Sequence, residues 1–458
     1  MRSVKSTTLE KIFALSIKKL VFSSAFFLFS FFCFAQDNSP YSRYGLGDVL
    51  PQSNMVNRAM GGISAAAYDP LSINFNNPAT YSGFLYTLEP KSKKLTSGRV
   101  VLNVGVNFQS HTLREPNNPE KFTSSDAVFS YLQVGMPLKK NWGISFGLRQ
   151  ISRIGYKIAD YERLMDPVTG NIDSSLTEYS GDGGTFLANA GTGFAIKNFR
   201  LGFNFGYLFG KKETTTRRFF INDTVYYKSG KYITATSFGN LFFSAGAQYK
   251  IDLKKNFDLT LGAYGNLKQT LNASQNLSRE TFVGDPDNGD ITIDSVYKVS
   301  NVSGKVVYPS QFGGGLVLRK MDKSSWFMGV DYVRSNWSQY RFYGLKDRVE
   351  NSSQLHIGGE LTPEPKEKKY FSHVSYRAGV FFGNDYINVD DKHPVFGITA
   401  GARFPIATQR SSNQFSIINL SVEYIRRGNN SSVLKENLLR VGVGLSFSDL
   451  WFIKRKYD

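Results

Sequence analysis

The feature that most constrains the fold is an alternation of apolar and polar side chains that recurs along most of the chain. Residues 101–109 place leucine, valine and phenylalanine on every second position, with polar residues or glycine between them, and residues 418–424 repeat the pattern. Successive side chains of a β-strand point to opposite faces, so each segment has one apolar and one polar face. A strand between lipid and a barrel lumen needs this arrangement, but a strand of a soluble sandwich needs it too.

The connections between the alternating segments separate these two fold classes. Fourteen candidate strands lie at 99–112, 123–137, 141–158, 185–197, 199–212, 231–251, 256–272, 308–320, 325–343, 353–362, 370–384, 394–405, 414–426 and 437–448. Their connections alternate between short, mostly basic turns and long segments, of which residues 159–184 and 272–307 are the longest. Tight turns on one side and long loops on the other are typical of outer-membrane barrels. The predicted fold class is an all-β transmembrane antiparallel β-barrel of fourteen strands over residues 98–448, with twelve or sixteen strands as alternatives.

The N-terminus predicts export. Basic residues precede the apolar run 20–34, and Ala35 stands before the polar sequence "QDNSP". This pattern is typical of a secretory signal peptide (residues 1–35) that is cleaved after Ala35. The alternative of a membrane anchor is weaker because the run is too short and a turn-rich segment follows. Cys33 is the chain's one cysteine, and a mature chain without cysteine forms no disulfide.

The composition indicates which classes of molecule the chain is expected to contact. The chain carries a net charge of +18, and the signal holds five of the 55 basic and one of the 37 acidic residues, which leaves about +14. An exported chain rarely meets nucleic acid, so we expect outer-membrane lipids and lipopolysaccharide to supply the counter-charge. The 42 glycines, 38 phenylalanines and 25 tyrosines suit a β-barrel in the cell outer membrane.

The final predicted strand carries a pattern of its own. Arg440, Gly442, Leu445 and Phe447 have the spacing of the signal that barrel-assembly machinery reads on last strands, which makes this machinery an expected partner. Residues 449–458 follow as a predicted periplasmic tail, so the aromatic residue is not terminal. The last strand must pair with the first, because an open sheet edge in hydrocarbon leaves unpaired backbone groups.

The segment before the barrel carries a family resemblance. "NRAMGG" (residues 57–62), an alanine-rich step, Asp69 and then "NPA" (residues 77–79) resemble the N-terminal hatch of the FadL/TodX family of outer-membrane transport proteins. Residues 181–210 are similar to the central strand pair of that family. The resemblance covers most of the mature chain and implies a fourteen-stranded barrel.

The resemblance also implies that residues 36–97 form a hatch, or plug, and a linker, with the hatch folded inside the lumen. It places the hatch or gate residues at Gly61, Gly62, Asn76, Asn77, Pro78 and Ala79. Small residues allow close backbone packing, and proline and asparagine suit an irregular segment held by side chains. The alternative, a flexible leader, does not explain the order-promoting Ile63, Ile73, Phe75 and Tyr81.

No catalytic set emerges from the sequence, so no enzymatic activity and no cofactor are expected. The four histidines (residues 111, 356, 373 and 393) lack metal-ligand spacing, and each is interpreted as an interfacial or lumen residue. Asp285, Asp287, Asn288 and Asp290 offer closely spaced oxygen ligands, but the glutamate that an EF-hand loop requires is missing. A solvated turn is the preferred interpretation, no metal site is predicted, and calcium binding stays open.

Two functions follow from the resemblance. The first is passive uptake of small hydrophobic compounds through a hatch-gated lumen. The alternative is a non-transporting barrel subunit or scaffold of an outer-membrane secretion or assembly complex, as in the type IX secretion system, with an envelope protein complex as its partner. The polarity of the lumen distinguishes them: an apolar tunnel favours uptake, and a lumen filled by the hatch and charged pairs favours a scaffold.

Overall fold

The computed structural model describes residues 39–88, 95–115, 120–165, 172–221, 227–253, 256–285, 289–322, 324–363, 369–389, 391–407, 414–429, 432 and 435–451. The predicted signal peptide, residues 452–458 of the predicted tail, Asp287 and Asn288 lie outside these residues. No helix within the described residues has both the length and the apolar character to cross a membrane.

Nineteen strands in the described residues are hydrogen-bonded into one sheet. They are β1 (Asp48–Val49), β2 (Tyr86–Leu88), β3 (Leu95–Arg114), β4 (Lys121–Lys139), β5 (Trp142–Met165), β6 (Ile172–Ile196), β7 (Phe199–Ile221), β8 (Ser229–Asp252), β9 (Phe257–Asn266), β10 (Gln269–Asp285), β11 (Gly289–Tyr308), β12 (Gln311–Met321), β13 (Ser325–Ser335), β14 (Arg341–Phe342), β15 (Ser352–Thr362), β16 (Ser375–Val389), β17 (Asp391–Ala407), β18 (Phe415–Arg427) and β19 (Lys435–Trp451).

The sheet closes into a barrel because β19 pairs antiparallel with β3 from Lys435 and Arg114 to Trp451 and Gly98. Two of the nineteen strands, β1 and β2, lie in the segment before the barrel. Three barrel strands are each interrupted once, as β9 with β10, β11 with β12 and β13 with β14. This leaves fourteen barrel strands, and the predicted fold class and strand number are confirmed.

The outer face of the barrel wall is apolar and the lumen face is polar, the reverse of the polarity found in a soluble protein. On β7, Phe203 and Phe205 are 51% and 60% exposed on the outside, whereas Asn204 between them is 4% exposed and faces the lumen. Lipid replaces water as the solvent of the outer face, so apolar side chains are stable there.

The prediction of long loops at 159–184 and 272–307 is wrong for the residues that the structure describes. Most of these residues belong to β5, β6, β10 and β11, which continue as paired strands beyond the apolar band. Apolar alternation stops where the lipid ends, because both faces of the sheet are solvated from there on. The backbone hydrogen bonds between the strands continue beyond the last alternating residue. The alternation therefore predicts the length of strand that faces lipid and not the full length of the strand.

As a result the barrel is taller on one side. β7 has 23 residues and β18 has 13. Six neighbouring strands, β5, β6, β7, β8, β10 and β11, form this taller wall, and we call the part beyond the apolar band the raised sheet.

Residues 39–88 are called the hatch; most of them fold inside the lumen, and Tyr86–Leu88 pair with β3 at the edge of the wall. They contain a short helix α1 (Met55–Arg58), two 3-10 helices (Pro40–Arg43 and Pro78–Gly83), β1 and β2. The Asn54 side chain caps α1 by accepting a hydrogen bond from the Asn57 N–H at 2.8 Å. Such short elements are marginal alone, so their order rests on contacts with the barrel wall.

Candidate functional site

The Gly61-Gly62 turn of the hatch lies directly against the wall. Both glycines have positive φ, +71° and +91°, a region that other residues rarely adopt. The Gly61 N–H donates to Thr399 Oγ1 at 2.8 Å, and Nδ1 of His356 lies 2.6 Å from the Gly61 carbonyl oxygen. A Cβ on Gly379 of β16 would overlap the Gly61 nitrogen. The turn therefore needs glycine on both sides of the contact.

The Asn-Asn-Pro-Ala segment forms the second wall contact. Asn77 is fully buried, and its Nδ2 donates to the Ala65 carbonyl at 2.6 Å while its Oδ1 accepts from the Ala79 N–H at 3.2 Å. Asn76 donates to Ser64 Oγ at 3.3 Å. Pro78 lies against lumen-facing glycines of β6, β7 and β8, at 193, 202 and 246. The structure thus places all six predicted hatch residues at the barrel wall, and their role as a gate stays a prediction.

A buried ion cluster anchors α1. The Arg58 side chain is 1% exposed; its Nη2 lies 2.5 Å from Glu423 Oε1, and its Nη1 donates to Asn107 Oδ1 at 2.6 Å. Arg440 binds the other Glu423 oxygen at 3.1 Å. Burial lowers the pKa of Arg58 from its usual value and the Glu423 carboxylate opposes this, so the guanidinium stays charged. One carboxylate therefore holds a hatch arginine and a wall arginine together.

A second ion cluster anchors the start of the hatch. Arg427 on β18 binds Asp48 of the hatch at 2.7 Å, Glu436 at 3.2 Å and Asp385 at 3.4 Å. Glu436 also lies 2.5 Å from His111 Nδ1. One arginine thus joins β16, β18, β19 and the hatch. Breaking such a buried cluster by removing one partner leaves charges without compensation.

Asp331 on β13 holds the alanine-rich step. It is fully buried, and its Oδ2 accepts hydrogen bonds from the Ser64 and Ala65 N–H groups at 2.6 and 2.7 Å. These two donors have no regular secondary structure to satisfy them, so the carboxylate replaces a backbone partner.

The space left between the hatch and the wall is divided: a cavity of about 380 Å³ lies between Met60 and Tyr68 of the hatch and Phe327 and Arg403 of the wall. A second cavity, of about 200 Å³, also lies between the hatch and the wall. Its lining includes the charged residues Arg58, Asp385, Glu423, Arg427 and Arg440. No group of histidine, cysteine and acidic residues able to hold a metal ion occurs among the described residues.

A larger and mostly apolar recess lies in the wall itself, where β9 ends and β10 begins. The strand break at Leu267 and Lys268 interrupts the ladder with β8, and the side chain of Gln269 both accepts from the Phe243 N–H at 2.8 Å and donates to its carbonyl at 3.2 Å. The adjoining space, the wall recess, has a volume of about 640 Å³ and is lined by aromatic side chains such as Phe146 and Phe205.

The predicted assembly signal lies on β19 and divides between its faces. Arg440 and Gly442 face the lumen, where Arg440 joins the α1 ion cluster and Gly442 approaches Met55. Phe447 is 43% exposed on the outer face, which Leu445 shares. Whether assembly machinery reads these residues stays a prediction.

Several residues of this site were not singled out from the sequence. Arg58 stood inside a quoted motif and Glu423 on a predicted polar face, but neither was assigned a role. Arg427 and Asp331 were not singled out either: Asp331 lies within the predicted strand 325–343, and Arg427 lies one residue beyond the predicted strand 414–426. Of the acidic residues 285–290, Asp290 forms ion pairs with Arg217 and Lys231, so its carboxylate has a structural role.

Comparison with known proteins agrees with this geometry. A family model described as BamG matches residues 16–458, whereas no curated protein matches the chain significantly. Among solved structures, a TodX deletion mutant, a monoaromatic hydrocarbon channel, is 15% identical with a TM-score of 0.50; the alignment covers 86% of this chain and 98% of that one.

Two further solved structures are similar to the chain over most of its length. The Ralstonia pickettii toluene transporter TbuX is 14% identical with a TM-score of 0.48, over 86% of this chain and 97% of that chain. A Pseudomonas aeruginosa FadL homologue is 12% identical with a TM-score of 0.48, over 90% and 100%. The likeness to the TodX mutant, at 15% identity, shows a shared fold alone. The chain is a FadL-like outer-membrane β-barrel, and it belongs to the BamG family.

Proposed function

We propose that this barrel is a non-transporting subunit of an outer-membrane protein complex, in which the hatch is a permanent structural element. The observation that carries the proposal is the charged anchoring of the hatch inside the lumen. Arg58 and Asp48, at two separate points of the hatch, are each held by a buried charge cluster of the wall. A gate must open at modest cost, and clusters of this kind resist separation.

The remaining lumen space supports the same proposal. A tunnel for hydrophobic compounds needs a continuous apolar lining, since binding sites for such ligands are predominantly apolar. The two cavities between the hatch and the wall measure about 200 and 380 Å³ and are separate, and charged side chains such as Arg427 and Arg403 line them. A lumen filled by the hatch and by charged pairs is the arrangement expected of a scaffold.

The test is purification of the chain in mild detergent from its own outer membrane, followed by mass spectrometry of everything that co-purifies. We expect a fixed stoichiometry of one or more proteins and no stoichiometric small hydrophobic compound. A stoichiometric apolar compound without a protein partner would overturn the proposal and name the substrate class.

Uptake of small hydrophobic compounds is the second candidate, and the wall recess favours it. The recess, at about 640 Å³, is larger than either cavity between the hatch and the wall, and it lies where the ladder between β8 and its neighbours is interrupted. Its aromatic lining and its size suit a monoaromatic compound. If the barrel takes up such compounds, they would cross the wall through the recess, and the two ion clusters that anchor the hatch would stay intact.

Filling the recess distinguishes the two functions. Ala190 lines the recess on β6, whereas Ala188, two residues away on the same face, does not. Under the uptake function, Ala190→Trp should lower the entry of radiolabelled toluene into cells at least tenfold, and Ala188→Trp should leave it unchanged. Under the scaffold function, cells with the wild-type barrel, either variant or no barrel take up toluene at equal rates.

A further inference from the structure

The raised sheet carries a cross-strand row of three tyrosines, one threonine and one arginine. Tyr179 on β6 is directly opposite Thr216 on β7, Thr216 is opposite Tyr232 on β8, Tyr232 is opposite Arg279 on β10, and Arg279 is opposite Tyr297 on β11. Directly opposite residues share one face of a sheet. At about 4.8 Å per strand the row is about 19 Å long.

The row lies on the lumen side of the raised sheet. Lys212, four residues before Thr216 and therefore on the same face, donates to the Gly45 carbonyl of the hatch at 2.9 Å. Arg43, also in the hatch, stacks over the Tyr179 ring with its Cζ 5.1 Å from the centroid. The hatch thus reaches one end of the row and leaves the other end uncovered: Tyr232 and Tyr297 are 49% and 43% exposed.

Lipid cannot cover these tyrosines. The unbroken run of outward apolar residues on β7 extends from Phe199 to Phe209, and the next outward positions are Lys211 and Glu213. Thr216 lies seven residues beyond Phe209, which is about 20 Å along the strand. Exposed aromatic side chains outside the lipid zone are typical of protein interaction sites, and tyrosine and arginine are enriched among the residues that dominate such interfaces.

Arg217 and Lys231 on the outer face of the raised sheet have carboxylate partners, whereas Arg279 on its lumen face has none among the described residues. On the outer face, Glu178 and Asp290 neutralise Arg217, and Asp290 also binds Lys231. On the lumen side, the Arg279 guanidinium lies 5.7 Å from the Tyr232 ring centroid and 5.3 Å from that of Tyr297, and no described carboxylate lies within 4 Å of it. An exposed arginine between two tyrosine rings, without a described carboxylate partner, is available to bind a carboxylate from outside.

We propose that this row is the docking site of an extracellular protein that places an aspartate or glutamate against Arg279 and packs over Tyr232 and Tyr297. The inference rests on the proposed subunit function and adds the surface and the chemistry of the partner. A protein fits better than lipopolysaccharide, because its phosphates would lie at the lipid boundary, about 20 Å below the row.

Photo-crosslinking in cells tests the site. A photoreactive phenylalanine analogue at Thr216 should give one discrete protein adduct, and the same analogue at Thr215, on the opposite face, should not. The partner peptide in the adduct should contain an acidic residue. An adduct with lipopolysaccharide alone, or equal adducts at both positions, would overturn the proposal.

Charge reversal tests the recognition itself. Arg279→Glu should reduce the Thr216 adduct at least tenfold, Tyr297→Ala should reduce it as well, and reversal of the partner's acidic residue to arginine should restore it in Arg279→Glu. Lys298→Glu is the matched control, because Lys298 is exposed at the same height and lies opposite Ser278 on the other face. An unchanged adduct in Arg279→Glu would refute the proposal.

The test separates this inference from the proposed function. If the same proteins co-purify with wild type and with Arg279→Glu, the chain is a subunit but the row is not its docking site. If no protein co-purifies with wild type, the subunit function fails as well.

Discussion

Replacing Arg427 with methionine should release the first part of the hatch from the barrel. The variant removes the cation that binds Asp48, Asp385 and Glu436 and leaves three buried carboxylates with inadequate compensation. Removing one partner of a buried ion pair costs about 3–5 kcal/mol. Because Asp48 is the only one of the three on the hatch, we expect local opening of the hatch before loss of the barrel.

Hydrogen exchange measures this opening. The Leu50 N–H donates to the Ile151 carbonyl at 3.0 Å and reports hatch docking. An opening that becomes about 3 kcal/mol easier raises the exchange rate of this amide by about 150-fold. Arg377→Met is the control, because buried Arg377 binds Glu360 on the neighbouring strand and contacts no hatch residue in its described bonds. Equal exchange of Leu50 in both variants would show that charge does not anchor the hatch.

A single methyl group at residue 202 should displace the other end of the hatch. Gly202 on β7 approaches the Pro78 carbonyl group so closely that a Cβ would overlap backbone atoms of Pro78 and Ala79. Backbone cannot move aside as a side-chain tip can, so Gly202→Ala should cost about 1–3 kcal/mol, the usual range for an overpacked core. The displaced segment is the 3-10 helix Pro78–Gly83, which packs against β6 and β7.

Limited proteolysis of the folded barrel measures this effect. We expect cleavage within residues 77–88 to accelerate at least fivefold in Gly202→Ala and to stay at the wild-type rate in Gly314→Ala. Gly314 is a suitable control, because the nearest atom to a Cβ there is a carbonyl oxygen at 3.9 Å. Resistance of Gly202→Ala to the protease would mean that the hatch tolerates a shift away from the wall.

The barrel could be predicted from the sequence because lipid and lumen impose opposite polarity on alternate residues. The raised sheet could not, since residues 211–218, "KKETTTRR", are polar on both faces and carry no alternation of hydrophobicity. The break between β9 and β10 was also missed: residues 256–272 read as one strand, and the amide side chain of Gln269 replaces the ladder bonds there.

The ion-pair partners of the hatch could not be predicted from the sequence either. The motif around residues 57–62 and 77–79 marks a segment that the structure places against the barrel wall, but the carboxylate partner of Arg58 and the arginine partner of Asp48 lie more than 360 residues further along the chain. Only the register of the closed barrel brings Glu423 and Arg427 over the hatch. Pairings of this kind depend on the complete fold and leave no local pattern.

A disulfide between the hatch and the last strand tests the central claim most directly. A Cβ built on Gly444 lies 3.0 Å from the Met55 Cβ, close to the separation of bridged cysteines, about 3.5–4.5 Å. The only natural cysteine, Cys33, lies in the predicted signal peptide, so Met55→Cys with Gly444→Cys forms one defined bond. Met55→Cys with Gly444→Ser is the control that cannot form it.

The measurement compares oxidised and reduced cells that carry the bridged barrel in place of the wild type. A permanent hatch predicts that growth and the set of co-purifying proteins are the same in both states and match the control. Loss of function on oxidation that reductant restores, with the control unaffected, would show that the hatch must move and would contradict the subunit function.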